Sequence, residues 1–145
     1  MLTVAFRHAF PGMACDIAFE ARTPGTTALF GRSGAGKSTT IAAVAGLLRP
    51  PYCRVAIDET VLADSDGGIF LPPEQRRVGL VFQDGRLFPH MTVAANLRYG
   101  LRRARAGPIV FDDVVELLGL AHLLERRPGA LSGGEKSRVA IGRAL

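Results

Sequence analysis

The 145-residue chain, with 48% hydrophobic and 21% charged residues, can bury one core and is too apolar for a disordered segment. Its longest apolar run, residues 41–48, falls far short of the ~20 residues that span a bilayer, and the start lacks a signal peptide's basic and apolar regions. The net charge of +5 is uneven: residues 1–75 carry six basic and seven acidic side chains, residues 76–145 twelve and six.

Alternation at Leu2, Val4 and Phe6, and again at Ile17 and Phe19, predicts two half-buried strands at the start of the chain. Thr23-Pro24-Gly25 turns into a β-prone run, residues 26–30, expected as a strand. Residues 31–40 then read GRSGAGKSTT, and residues 41–45 suit a helix that should run from Lys37 to near Gly46, with Pro50-Pro51 blocking continuation.

The spacing G-x-x-x-x-G-K-S, from Gly31 to Ser38, sits between an expected strand and an expected helix. Gly31, Arg32, Ser33, Gly34, Ala35 and Gly36 can turn backbone N–H groups around a phosphate. The start of the helix, through Thr39, adds its positive dipole end, Lys37 reaches the outer phosphates and Ser38 can hold Mg2+. A simple glycine-rich turn is the alternative in a chain with 17 glycines. Lysine scarcity argues against it: of 18 basic residues, only Lys37 and Lys136 are lysines.

Short strands are expected at residues 54–57 and 60–62, turns at 64–68 and at Pro72-Pro73, and a buried strand at 78–82. Thr92 is a plausible N-cap for a helix to about Arg103; residues 111–118 and 135–145 carry two more helical patterns. The subdomain boundary is expected between residues 83 and 92. Arg98, Arg102, Arg103 and Arg105 fit a solvated helix face or a protein docking surface better than a nucleic-acid or anionic-membrane footprint. Cys15 and Cys53, with no C-x-x-C partner or metal-like His spacing, read as reduced thiols.

Leu131-Ser132-Gly133-Gly134-Glu135 precedes the last helix. Ser132 and Glu135 are spaced as a capping box, which alone would explain the segment. A serine and two glycines at a helix N-terminus also form an anion site, and their occurrence with the loop at Gly31 favours that reading.

With LSGGE in view, the sequence resembles the ATP-binding subunits of ABC transporters. LSGGE is similar to their signature motif, usually LSGGQ, with Glu135 a departure tolerated in some importers. Gln83, in Val81-Phe82-Gln83-Asp84, matches the glutamine that approaches Mg2+ and the transmembrane partner. The run from Lys136 to Leu145 continues the family pattern, with Ser137 where glutamine is common. Within the family, LPPEQRRVGLVFQDGRLFPHMTVAANLRYG and LSGGEKSRVAIGRAL are most similar to the ATPases of molybdate importers.

The resemblance implies an α/β P-loop NTPase fold with an N-terminal antiparallel β part, an incomplete parallel core and a helical subdomain. Residues 1–90 would be the nucleotide-binding core and antiparallel part, and 91–145 the helical subdomain. ATP would be bound by Gly31 to Thr39 with Gln83, and Mg2+ by Ser38 and Gln83. Ser132, Gly133, Gly134 and Glu135 would face a nucleotide held by the neighbouring copy of a homodimer, which drives a permease from the inner face of the cell membrane. No direct nucleic-acid contact is expected.

The resemblance also places the Walker B strand, its catalytic glutamate and the switch histidine after the signature helix, beyond residue 145. These 145 residues are therefore expected to contain no catalytic residue and to turn over little ATP. Asp58-Glu59 ends a short apolar run and mimics Walker B, yet its place before Gln83 marks it as a hairpin turn. Phe10 could stack on adenine or belong to the core. The competing readings are a soluble ABC ATPase acting on nucleic acid or ribosomes, a non-enzymatic truncated product, and an unrelated loop-bearing kinase, which LSGGE argues against.

Overall fold

Val4 and Phe6, alternating with more exposed neighbours, make one face of β1 (Leu2–Phe10) apolar. Pro11-Gly12 then reverses the chain into β2 (Met13–Ala21). β1 also pairs with β3 (Tyr52–Ile57), followed by β4 (Thr60–Asp64) and β5 (Ile69–Phe70), in the order β2-β1-β3-β4-β5, every pair antiparallel. The register stacks Phe19, Val4 and Val55 in one cross-strand row and Ile17, Phe6 and Cys53 in the next. Val4, Phe6 and Val55 are fully buried, each stabilising the sheet by about 1.5–3 kcal/mol.

An irregularity between Val55 and Ala56 shifts the β3–β4 register. It lets consecutive residues Leu62 and Ala63 both face the core, which a regular pleat forbids. The Asp58-Glu59 pair closes the β3–β4 turn, as the sequence indicated, with Asp58 at φ 51°. The two-residue β5 follows a turn in which Asp64 Oδ1 accepts the N–H groups of Asp66 and Gly67 at 3.0 and 3.1 Å.

Helix α1 (Lys37–Val44) joins this core through Ala43 and Val44. It ends where Gly46 takes φ 78° and the N–H groups of Gly46 and Leu47 return to the carbonyls of Ala43 and Ala42. Arg76 completes that end: its Nη1 donates to Ala43 O and Val44 O at 2.8 and 2.9 Å, and its Nε to Leu71 O at 2.7 Å.

The structure, a computed structural model, describes residues 1–100 and 109–145 and divides into two units, Met1–Val78 and Gly79–Leu145. In the second, α2 (Val93–Leu97), α3 (Phe111–Leu117) and α4 (Gly133–Ala144) enclose Val93, Leu97, Leu120, Leu123, Leu131 and Val139. Gly142 permits their close approach, since a Cβ there would lie 2.7 Å from Leu97 Cδ2 and 3.0 Å from Leu118 Cδ1. Thr92 caps α2 as expected, its Oγ1 accepting from Ala95 N at 3.2 Å. The helix ends at Leu97, short of Arg103, and Arg102, Arg103 and Arg105 lie outside the described residues.

Two expected strands do not form. Residues 26–30 and 78–82 pair with no strand among the described residues, and Phe30 is fully exposed. β propensity alone does not make a strand; a ladder partner does. For the same reason the described residues contain antiparallel pairs and no parallel ladder. The division after Val78 precedes the segment 83–92 marked from sequence, because 79–90 is tied to the helices. A Cβ on Gly79 would lie 2.6 Å from Ala144 O, and Phe88 N–H donates to Asn96 Oδ1 at 2.8 Å.

Candidate functional site

The loop at residues 31–36 stands exposed ahead of α1, with Gly36 buried at its end. Gly34 and Gly36 adopt φ 83° and 85°, a left-handed backbone open to glycine at little cost. A Cβ on Gly36 would also lie 3.1 Å from Ile17 Cδ1 and 3.2 Å from Cys15 Sγ, so the loop backbone rests directly on β2.

Gly36 is the N-cap of α1 and supplies no side-chain acceptor, leaving the first amides of the helix without a capping side chain. Lys37 Nζ folds back to donate to Gly31 O and Arg32 O at 2.7 Å each, which holds the ammonium against the loop. Ala35 N–H donates to Arg32 O at 3.2 Å, and buried Thr40 donates from Oγ1 to Gly36 O at 2.9 Å. Ser38 is exposed and Thr39 half-buried on the first turn.

Uncapped amides, a helix dipole and one ammonium form a site suited to a polyphosphate, and the Ser38 hydroxyl is a hard oxygen of the kind Mg2+ takes. The residues present therefore fit both groups.

The second glycine-bearing helix start differs. Ser132 N–H donates to Glu135 Oε2 at 2.7 Å and Ser132 Oγ accepts from Glu135 N at 3.3 Å, a complete capping box. The backbone N–H of Ser132, and then its hydroxyl, hold the Glu135 carboxyl below its usual 4.5. Gly133 and Gly134 are exposed, and Ser137 Oγ donates to Gly133 O at 3.0 Å.

Gln83 is exposed in a turn with Asp84, closed by Gly85 N–H donating to Phe82 O at 2.9 Å. It belongs to the same unit as Ser132–Glu135, whereas residues 31–39 belong to the other. Asp58 is occupied by Thr23, whose Oγ1 donates to Asp58 Oδ1 at 2.7 Å, and by the Met1 amine. Phe10 lies outside the core at the tip of the β1–β2 hairpin, edge-on to His8 at 4.4 Å. Arg98 lies over the Phe111 ring at 4.1 Å, a structural use for one of the clustered arginines. Cys15 and Cys53 are free and buried, and burial pushes the Cys53 thiol up.

Three residues carry local order that the sequence did not single out. Arg76 caps α1 and Arg143 grips the backbone after Gln83. Asn96, fully buried, accepts from Phe88 N and donates to Phe88 O and Thr92 O at 3.2 and 3.0 Å. Only Asn96 left a signal, as a polar residue on an apolar helix.

The family model described as ABC transporter matches residues 15–145. The molybdenum import ATP-binding protein ModC of Rhodospirillum rubrum is 60% identical over 132 residues, which cover 90% of this chain and 35% of that protein. ModC of Pectobacterium atrosepticum is 51% identical over 145 residues, 100% of this chain and 41% of its own length. The chain thus spans about two-fifths or less of these relatives. Among solved structures, cbiO1 of Clostridium perfringens, described as part of an ABC transporter complex, superposes with TM-score 0.77 at 27% identity, covering 99% of this chain and 60% of cbiO1. The dimeric ATP-binding cassette MJ0796 with ADP and Pi gives 0.75 at 24%, covering 100% and 69%, and shows the fold alone. With its loop, its glycine-flanked helix start and a family match over nearly all its length, this chain belongs to the ABC transporter family and has the fold of its ATP-binding cassettes.

Proposed function

We propose that this chain is the loop- and signature-bearing part of an ATP-binding subunit that powers an ABC importer of molybdate. The observation that carries the reading is the uncapped start of α1 with the Lys37 ammonium held over its loop. The 60% identity to a molybdenum import ATP-binding protein supports the choice of cargo. Lys37 and the amides at residues 34–39 bind the β- and γ-phosphates of ATP. The Ser38 hydroxyl would hold Mg2+, which would supply charge neutralisation when bound. Ser132, Gly133 and Gly134 meet the nucleotide of a second copy, so that ATP binding closes a homodimer beneath a permease on the inner face of the membrane.

Water activation is assigned to no residue here. Asp58-Glu59, the one Asp-Glu pair in the sequence, closes a turn, with Asp58 already engaged by Thr23. The chain alone binds nucleotide and turns over negligible ATP, since positioning without a water-orienting group forfeits much of the rate. Equilibrium binding of a fluorescent ATP analogue, with phosphate release measured in parallel, tests both parts. Binding that K37A weakens roughly a hundredfold, with phosphate release at background, is the expected result; turnover equal to an intact ATPase subunit would refute the second part.

A further inference from the structure

The backbone after Gln83 is bent into an uncommon shape. Gly85 and Arg86 take φ 68° and 42°, two successive residues in the left-handed region, where a non-glycine residue such as Arg86 is strained. Such a shape persists only where its surroundings hold it. Arg143, in the last turn of α4, supplies the hold: its Nη1 donates to Arg86 O at 2.8 Å and its Nη2 to Gly85 O at 3.1 Å. Its guanidinium also lies 5.1 Å from the centre of the Phe88 ring. Gly85 itself is buried against the same helix, a Cβ there meeting Ala140 Cβ and Lys136 O at 3.6 Å. Two residues further on, Asn96 holds Phe88 N–H and Phe88 O.

We propose that Arg143 is a positioning residue, whose forked guanidinium locks the turn bearing Gln83 to the helix that begins at Ser132–Gly134, so that the two move as one body. The planar fork matters because it reaches two carbonyls of adjacent residues at once. A lysine keeps the charge but cannot bridge both oxygens. The consequence for transport rests on the importer reading: a partner that displaces the Gln83 turn would displace Ser132, Gly133 and Gly134 with it.

The test is hydrogen exchange of the whole chain as wild type, R143K and R143Q, with thermal unfolding and ATP-analogue binding measured on the same samples. Exchange over residues 85–88 is expected to rise roughly tenfold in both variants. The start of α4, α2 and the melting transition of R143K should match wild type. Wild-type exchange over 85–88 in R143K would overturn the proposal. So would a general loss of protection across α2 and α4 in R143K, because Arg143 would then be a packing residue. ATP binding is the separate control: a wild-type chain that binds no nucleotide contradicts the importer reading and leaves the lock to be judged by exchange alone.

Discussion

α1 and α4 both start beside glycines and serines, yet their first turns are finished in opposite ways. At α1 the N-cap is Gly36, no side chain among the described residues caps the helix amides, and Lys37 is turned onto the loop. At α4, Ser132 and Glu135 satisfy each other's backbone N–H groups before any ligand arrives. A helix start left open attracts an anion by itself; one whose first turn already holds a carboxylate offers an anion fewer amides and an opposing charge, leaving chiefly those of Gly133 and Gly134. The difference separates a helix start open to an anion from one already engaged by its own side chains.

The sharpest way to break that comparison is at Lys37. K37A removes a charge-assisted contact to phosphate, worth about 2–3 kcal/mol, so ATP-analogue affinity should fall roughly a hundredfold in an equilibrium titration. Circular dichroism should stay unchanged, since among the described residues Lys37 bonds only the exposed loop.

Next in size is Arg76, which finishes the other end of α1. R76M leaves the carbonyls of Leu71, Ala43 and Val44 without its guanidinium and should destabilise the Met1–Val78 unit by about 2 kcal/mol in urea unfolding.

At α4 the effects are smaller and of another kind. S132A removes the cap and should cost about 1 kcal/mol, seen as faster amide exchange in the first turn of α4 with the affinity of the loop for ATP unchanged.

Glu135 gives the finest discrimination. Its carboxyl is held below its usual 4.5 in the folded chain, so its stabilisation is complete above that value and is lost as pH falls through the lower folded value. E135Q, which keeps an acceptor but no charge, should melt slightly below wild type at neutral pH and converge with it in acid. A gap that widens in acid would contradict the sign.

Much of this was legible in the sequence because it is local. The alternation at Val4 and Phe6, the loop spacing at Gly31–Ser38, the Thr92 cap, the Ser132–Glu135 box and the turn at Asp58-Glu59 each rest on residues within a few positions of one another. The misses are nonlocal. Residues 26–30 and 78–82 have strand composition but no ladder partner among the described residues, and composition cannot report a partner. Burial of both Leu62 and Ala63 depends on a register shift against β3. Arg76 and Arg143 act on carbonyls 32 and 57 positions away, distances at which no sequence period operates.

The central claim, that α1 starts as an open phosphate site whereas α4 starts self-capped, is tested most directly by following the backbone amides of the wild-type chain by NMR during titration with ATP and Mg2+. Saturable shifts at Gly34, Gly36, Lys37 and Ser38, with Gly133 and Gly134 unmoved at low protein concentration and loop shifts lost in K37A at the ATP concentration that half-saturates the wild type, are the predicted result. Shifts at Gly133 and Gly134 as large as those of the loop, or loop shifts that persist in K37A at that concentration, would contradict it.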